Sequence, residues 1–258
     1  MKSAVSRVVV AVSVVAALGA SAACSGSGDD AGKPTKPRAD AGAAALEKTA
    51  LTAGDVKGYE VEMPKPSAES KGSGAGTPSP AECAPLAAML DSASGSGSGG
   101  PAKAKAHVDR ILTPADGKGS TTTGVGLSRY AEADAKQTMT DLRTASKSKK
   151  CSRFHVGEQR YLGVRTLPAP EGKGDEAVSY KIAHRKGEFV TRESVTVVRS
   201  GSTIAVFDAS NLYDPEGVQR DKEAAKDGMD GMGGVGTPTA DEDPKVAPAI
   251  VDAQLGKL

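Results

Sequence analysis

Three cysteines, three histidines and a run of basic residues in the second half of this 258-residue chain are the groups with chemistry to offer. A thiol can form a disulfide, be alkylated or bind a metal, and its neighbours decide which. Two cysteines alone make a poor metal site, and His107, His155 and His184 stand at no zinc-ligand spacing from Cys24, Cys83 or Cys151. None of the histidines joins a serine elbow, an HExxH pair or a cysteine–histidine frame. Each reads as an exposed or strand-face residue, and no catalytic residue, cofactor or metal is expected. An odd cysteine count in an oxidising compartment requires one cysteine to be used elsewhere. With Cys24 so used, Cys83 and Cys151 form one structural pair, which the chain-entropy picture values at about 4 kcal/mol. Lys181, Arg185 and Arg192 share a predicted strand face where an anionic pocket could form, the plainer reading being a solvated sheet face. Met229 and Met232 offer two thioethers, but in a glycine-rich stretch that reads as linker rather than copper site.

The start of the chain explains how Cys24 is used. Lys2 and Arg7 precede an apolar run at 8–18, the pattern of an export signal. The run is shorter than the roughly 20 residues of a membrane span. Gly19, Ala20, Ser21, Ala22 and Ala23 then lead into Cys24, an arrangement that resembles a bacterial lipoprotein box. The thiol would be lipidated and the signal, residues 1–23, removed. Ser21 departs from the box, where leucine is usual, and cleavage after Ala22 as an ordinary secretory signal is the alternative. Acyl chains contribute about 0.8 kcal/mol per buried methylene, enough to hold the protein on the cell membrane's outer face without a spanning helix.

Composition bounds the remainder. Net charge is +1, with acidic and basic residues interspersed, which gives no footprint for nucleic acid. Aromatics are 3% and tryptophan is absent, which disfavours a base- or sugar-stacking surface. Residues 24–45, rich in glycine, alanine, proline and charge, read as a disordered tether, with folded sequence at 46–258. Low-complexity stretches near 67–78, 92–105 and 222–243 read as disordered loops. The glycines at 72–76 and 96–100 lie between no strand and helix, so they are linkers and not phosphate cradles.

Between these loops Ser79 and Glu82 have capping-box spacing, with Pro80 at the first helical position. Cys83, Leu86, Ala87 and Leu90 follow at helical period, which buries Cys83. A second helix is predicted over 131–149, with Ala131, Ala135, Met139 and Leu142 on one side, and Cys151 just past its end. The pair would staple the two helices. Period-two patterns predict strands at 160–167, 177–184, 189–199 and 203–209, joined by short turns as an antiparallel meander. Weaker strand patterns lie at 59–63, 107–112 and 121–130. A last helix over 248–258 has Val251, Leu255 and Leu258 on one side. The expected class is α+β, helices packed on one antiparallel sheet with one structural disulfide.

Leu51-Thr52-Ala53-Gly54-Asp55-Val56 with Tyr59, Ala81-Glu82-Cys83-Ala84-Pro85-Leu86, a helix closing on Cys151, a meander and a terminal helix together resemble actinobacterial lipoproteins with a PknH-like extracellular sensor domain. The resemblance covers residues 46–258. It implies a sheet with helices around a cleft and an unidentified ligand bound outside the cell. The chain departs in having one candidate disulfide where the kinase domain has two, and in lacking tryptophan, and no binding residue carries over. The expectation is a non-enzymatic, lipid-anchored envelope protein that binds a ligand or sensor signal. An envelope hydrolase and a structural or assembly lipoprotein contacting another protein are the alternatives.

Overall fold

The computed structural model describes residues 39–64, 76–93, 103–117, 119–226, 237–239 and 242–258. Cys24, the signal, most of the tether, Met229 and Met232 lie outside them. The elements in chain order are α1 (Ala39–Thr49), β1 (Tyr59–Glu62), β2 (Pro78–Ser79), α2 (Ala84–Ala93), β3 (Ala106–Pro114), β4 (Thr122–Arg129), α3 (Glu132–Lys147), β5 (Arg153–Val156), β6 (Gln159–Leu167), β7 (Glu176–Lys186), β8 (Phe189–Ser200), β9 (Thr203–Tyr213), α4 (Pro215–Lys226) and α5 (Pro248–Leu255). Nine antiparallel strands form one sheet in the order β1-β3-β4-β9-β8-β7-β6-β5-β2. The meander expected from the second half is its centre. Two-residue turns join β7 to β8 and β8 to β9, the loop length that suits strand twist.

Strand alternation sends successive side chains to opposite faces, and helices cover both. On the first face α2 and α3 bury Leu86, Met89, Met139 and Leu142 against Val178, Tyr180, Ile182, Val195, Val197, Ile204 and Val206. The period-two patterns of β7, β8 and β9 thus each present one buried apolar side. Cys83 and Cys151 are bonded there, in short 3-10 turns that precede α2 and follow α3. Gly126 in β4 lets the end of α2 close on the sheet, because a Cβ at that position would collide with the Ser92 carbonyl oxygen.

The second face carries a separate core. Leu46, Leu51, Ile250 and Val251 from the α1 and α5 segments pack on Leu112, Val125, Leu127, Val198, Ala205 and Phe207. Gln254 is fully buried and joins the two segments: its Oε1 accepts from Leu51 N at 3.2 Å and its Nε2 donates to Thr49 O at 2.8 Å. In α5 the buried residues are Ile250, Val251 and Gln254. Of the expected row, Val251 and Leu255 pack on this core, whereas Leu258 is exposed and lies beyond the helix, which stops at Leu255.

Several boundaries moved. Helix begins at Ala39, inside the stretch read as tether, because burial of Leu46 and Ala50 against the sheet organises the turns before them. Helix α4 runs through Lys226, into the stretch read as loop from 222. The capping box is not made: Ser79 belongs to β2, Pro80 starts the 3-10 turn with no side-chain cap, and Glu82 pairs with Lys150 at 3.2 Å. Strand β5 carried too short a pattern to be recognised, yet it buries Phe154 and Val156.

Candidate functional site

Half of the second face lies outside the α1–α5 core, and there β6, β7 and β8 present polar side chains to a cleft. Lys181 on β7 is the register partner of Arg165 on β6 and of Ser194 on β8, and Arg192 sits one step diagonally away. A one-residue bulge in β6 is what brings Arg165 to this face. Pairing passes from Leu162–Ala183 to Arg165–Lys181, with Gly163 at φ 72 absorbing the extra residue. Unbroken alternation would have placed Val164 opposite Lys181. The bulge instead turns Val164 into the core and Arg165 out.

These three cations line a cavity of about 300 Å³ with Asp243. Asp243 belongs to a strap, residues 237–239 and 242–247, that crosses the open half of the face. Asp221 of α4 accepts from Thr237 N at 2.8 Å. Arg192 donates to Asn211 Oδ1 at 3.1 Å and to Thr239 O at 2.7 Å, with its guanidinium carbon 5.3 Å from the centre of the Tyr213 ring. Asn211 Nδ2 donates to Glu242 O at 3.1 Å, and Lys181 Nζ meets Asp243 Oδ2 at 2.6 Å. Two more cavities flank the strap. One of about 770 Å³ is walled by Tyr59, Thr123, Glu242, Asp243 and Lys245. The other, about 310 Å³, is walled by Leu167, Ser179, Thr196, Lys245 and Val251. Asp243 and Lys245 are thus walls shared between neighbouring cavities.

The sequence placed Lys181 and Arg192 on one face correctly. Arg185, grouped with them, is exposed and does not line the cavity, because it sits four residues along β7 beyond the strap. Arg165 was missed, and the signal that could have found it is Gly163, a glycine inside a strand. Residues of the strap carry no periodic pattern and are joined to the sheet only by tertiary contacts.

The first face buries charge differently. Asp208 on β9 and Glu193 on β8 lie among Tyr180, Tyr161 and His184 beneath the helices. Glu193 Oε2, Asp208 Oδ1 and the Tyr180 hydroxyl have no hydrogen-bond partner among the described residues. Burial raises the Asp208 carboxyl to about 7. Glu193 is pushed well above the usual carboxylate range by burial and then by the Asp208 charge, and Tyr180 likewise rises, first by burial. His184 faces Glu193 at 3.8 Å and the edge of Tyr161.

His107 is the histidine that the sequence least explained. Its Nδ1 lies 2.8 Å from Ser128 Oγ and its Nε2 lies 2.7 Å from Asp109 Oδ1. The three residues meet because His107 and Ser128 are register partners while Asp109 is two residues along the same strand. The order is that of a serine–histidine–carboxylate triad with the two ring nitrogens exchanged, but Asp109 Oδ1 approaches the ring without hydrogen-bond geometry. Ser128 is 1% exposed and lines none of the three cavities above. His155 is a surface residue accepting from Arg160 at 3.3 Å. Among the described residues no group of three or more His, Cys, Asp or Glu could hold a metal, and no helix is long and apolar enough to cross a membrane.

The class defined by fold and site is an α+β domain with one disulfide, helices on both sheet faces and a strapped polar cleft. No family model and no curated protein matches the chain. Two solved mycobacterial structures are similar to parts of it. The extracellular domain of PknH from Mycobacterium tuberculosis aligns at 6% identity over 41% of this chain and 54% of that domain, with a TM-score of 0.28. The chain thus spans about half the length of that domain. An uncharacterized protein from Mycobacterium smegmatis, the Rv0999 ortholog, aligns at 12% identity over 67% of this chain and 83% of that one, with a TM-score of 0.35. The short motifs behind the sensor-domain resemblance are structural in this chain. Asp55 accepts from Thr52 N and Oγ1 and from Lys257, and these contacts, the lysine first, hold its carboxyl down to about 2. Cys83 and Leu86 lie in the core.

Proposed function

We propose that this chain is a non-enzymatic envelope protein, exported and lipidated at Cys24, whose domain binds a ligand in the strapped cleft. The observation that carries the binding reading is the cleft itself: three adjoining cavities on a sheet face whose other half is fully packed. Polar groups converging on a concave surface are the usual form of a small-molecule site. The Cys83–Cys151 bond supports export, since such bonds persist in oxidising compartments. Mass spectrometry of small molecules co-purifying with the protein from its native envelope tests the binding reading. A stoichiometric compound is expected, and its loss in a variant with the cleft filled, Ser194→Trp, would place it there. A protein that carries nothing from its own envelope ends this reading and favours an assembly role through protein contacts. For the anchor, Cys24→Ala is expected to release the protein from the membrane fraction; retention at the wild-type level removes lipidation.

A second reading, an envelope hydrolase, rests on Ser128, His107 and Asp109. Labelling of Ser128 by a fluorophosphonate would support it. Absence of labelling under conditions that label a control serine hydrolase would dismiss it.

A further inference from the structure

We infer that the outer corner of the second face, where β5, β6 and β7 present Arg153, Arg160, Arg165 and Arg185, is a docking surface for the anionic phospholipid headgroups of the membrane that carries the protein. The inference rests on the lipid-anchored reading for the nearness of that membrane, and adds a second contact made by the folded domain itself. Register puts the four arginines together. Arg153 pairs with Leu162, and Tyr161 pairs with His184, so that Arg160 and Arg185 are neighbours one step along, on the face opposite to Tyr161. Arg165 pairs with Lys181 on that same face. All four arginines are exposed. The side chains of Arg153, Arg165 and Arg185 make no hydrogen bond or ion pair with the described residues, and Arg160 donates only to His155 Nε2, at 3.3 Å. Lys181 is paired with Asp243, and Arg192 is held by its own partners, so neither belongs to this set.

Charge is segregated here against the composition of the chain. The whole sequence carries 33 basic and 32 acidic residues, yet β5 and β6 contain no acidic residue. The only one in β7 is Glu176, at its far end, where Arg143 and Arg199 hold it. Glu158 and Glu188 lie in the turns that border the face. Blunting of a sheet edge would account for a charge on β5, but β6 and β7 are interior strands. Like charges side by side on interior strands destabilise a sheet, and an anionic surface removes that repulsion. Arginine suits lipid phosphate because its planar fork donates two hydrogen bonds to one phosphodiester. Leu162, exposed amid the arginines, offers an apolar contact at headgroup depth. The chain's own layout favours a membrane over a soluble polyanion. Cys24 lies 15 residues before Ala39, a reach of about 50 Å at full extension. Helix α1, which that segment enters, packs on the second face too, so the chain joins the domain on the side that carries the arginines. A lipidated cysteine limits distance, and four arginines on one face select which side meets the bilayer.

Flotation of the mature chain, residues 24–258 carrying Cys24→Ala, on phosphatidylcholine vesicles with and without phosphatidylglycerol measures this contact with no acyl chain taking part. Binding is expected only with phosphatidylglycerol, and is expected to weaken as sodium chloride is raised, because salt screens surface charge. Arg160→Gln and Arg185→Gln are each expected to weaken the partition about fivefold, the effect of one cation near an anionic surface, and the two together more than either alone. Lys57→Gln removes an exposed cation beside β1, at the opposite edge of the sheet, and is expected to leave the partition unchanged. Circular dichroism confirms that each variant is folded. No preference for phosphatidylglycerol overturns the proposal. An equal loss in Lys57→Gln also overturns it, since net charge and not this face would then be read. Retention of the chain by polyglutamate that depends on Arg160, without vesicle binding, would assign the face to an acidic protein and overturn the membrane contact. Failure of the vesicle assay leaves lipidation of Cys24 standing, and loss of lipidation leaves the vesicle outcomes unchanged.

Discussion

Arg192 and Glu193 are adjacent in the chain and both buried, yet they face opposite sides of the sheet and meet different partners. Arg192 points to the open half of the second face, where Asn211, Thr239 and Tyr213 hold it beside a cavity. Glu193 points to the helix-covered face, where Asp208, Tyr180 and His184 are its polar neighbours. One strand thus places a buried cation among polar partners on one face and a buried acid under the helices on the other, by alternation alone. The difference lies in the cover. Under two helices and a disulfide, burial raises the Asp208 and Glu193 carboxyls above the usual range. Under the strap, Arg192 and Lys181 are held by partners from the sheet and from the strap itself.

The firmest way to break this comparison is to open the closed face. The disulfide spans 68 residues, and replacing both cysteines by alanine is expected to lower the unfolding free energy by about 4 kcal/mol in urea titration. An unchanged urea midpoint would mean that helix packing alone closes the first face.

Titration of the buried acids gives the next effect. The Asp208 carboxyl lies at about 7 in the folded protein against 3.8 as the ordinary value. A raised native value means that the folded state holds the proton longer, so this contribution is complete below about pH 4. It is lost as pH rises through about 7, at up to roughly 1.4 kcal/mol per pH unit. Glu193 moves in the same direction. Asp208→Asn should therefore flatten the decline of thermal stability between pH 4 and 7, read by calorimetry across that range. The opposite sign belongs to exposed, ion-paired acids such as Asp55, whose lowered carboxyl costs stability only as pH falls toward about 2.

On the second face, the packed half is probed by Gln254→Leu. It strips the partners from Leu51 N and Thr49 O, and is expected to cost about 2 kcal/mol by urea titration. The strapped half should respond least. Lys181→Ala removes a part-exposed ion pair and also the repulsion from Arg165, and a change below about 1 kcal/mol is expected in the same titration. A larger loss would make the strap contact structural instead of exchangeable.

Much of this arrangement was legible before the fold was known. Period-two rows in β7, β8 and β9 gave both the meander and its buried side, because strong alternation has one low-energy solution against an apolar layer. The Cys83–Cys151 pair followed from an odd count and two helical stripes. The capping box was misread because pairing of Ser79 with β5 took the residue out of the helix start. Arg165 escaped because a bulge reverses face parity without changing composition. The His107–Ser128–Asp109 chain escaped because its partners are joined by register across two strands, and register is invisible when each strand is read alone.

By itself the sequence determined what depends on neighbours along the chain. That includes the export-like start with Cys24, the amphipathic helices, the meander and the pair of cysteines left to bond. Tertiary structure alone decided what depends on distance between segments. It laid residues 237–239 and 242–247 over one half of a face, brought Asp243 to Lys181, turned Arg165 outward at Gly163 and buried Glu193 and Asp208 beneath two helices. Local patterns encode which side of a strand is apolar. Which of the polar sides meets water, another segment or a ligand is fixed only when the long-range contacts close.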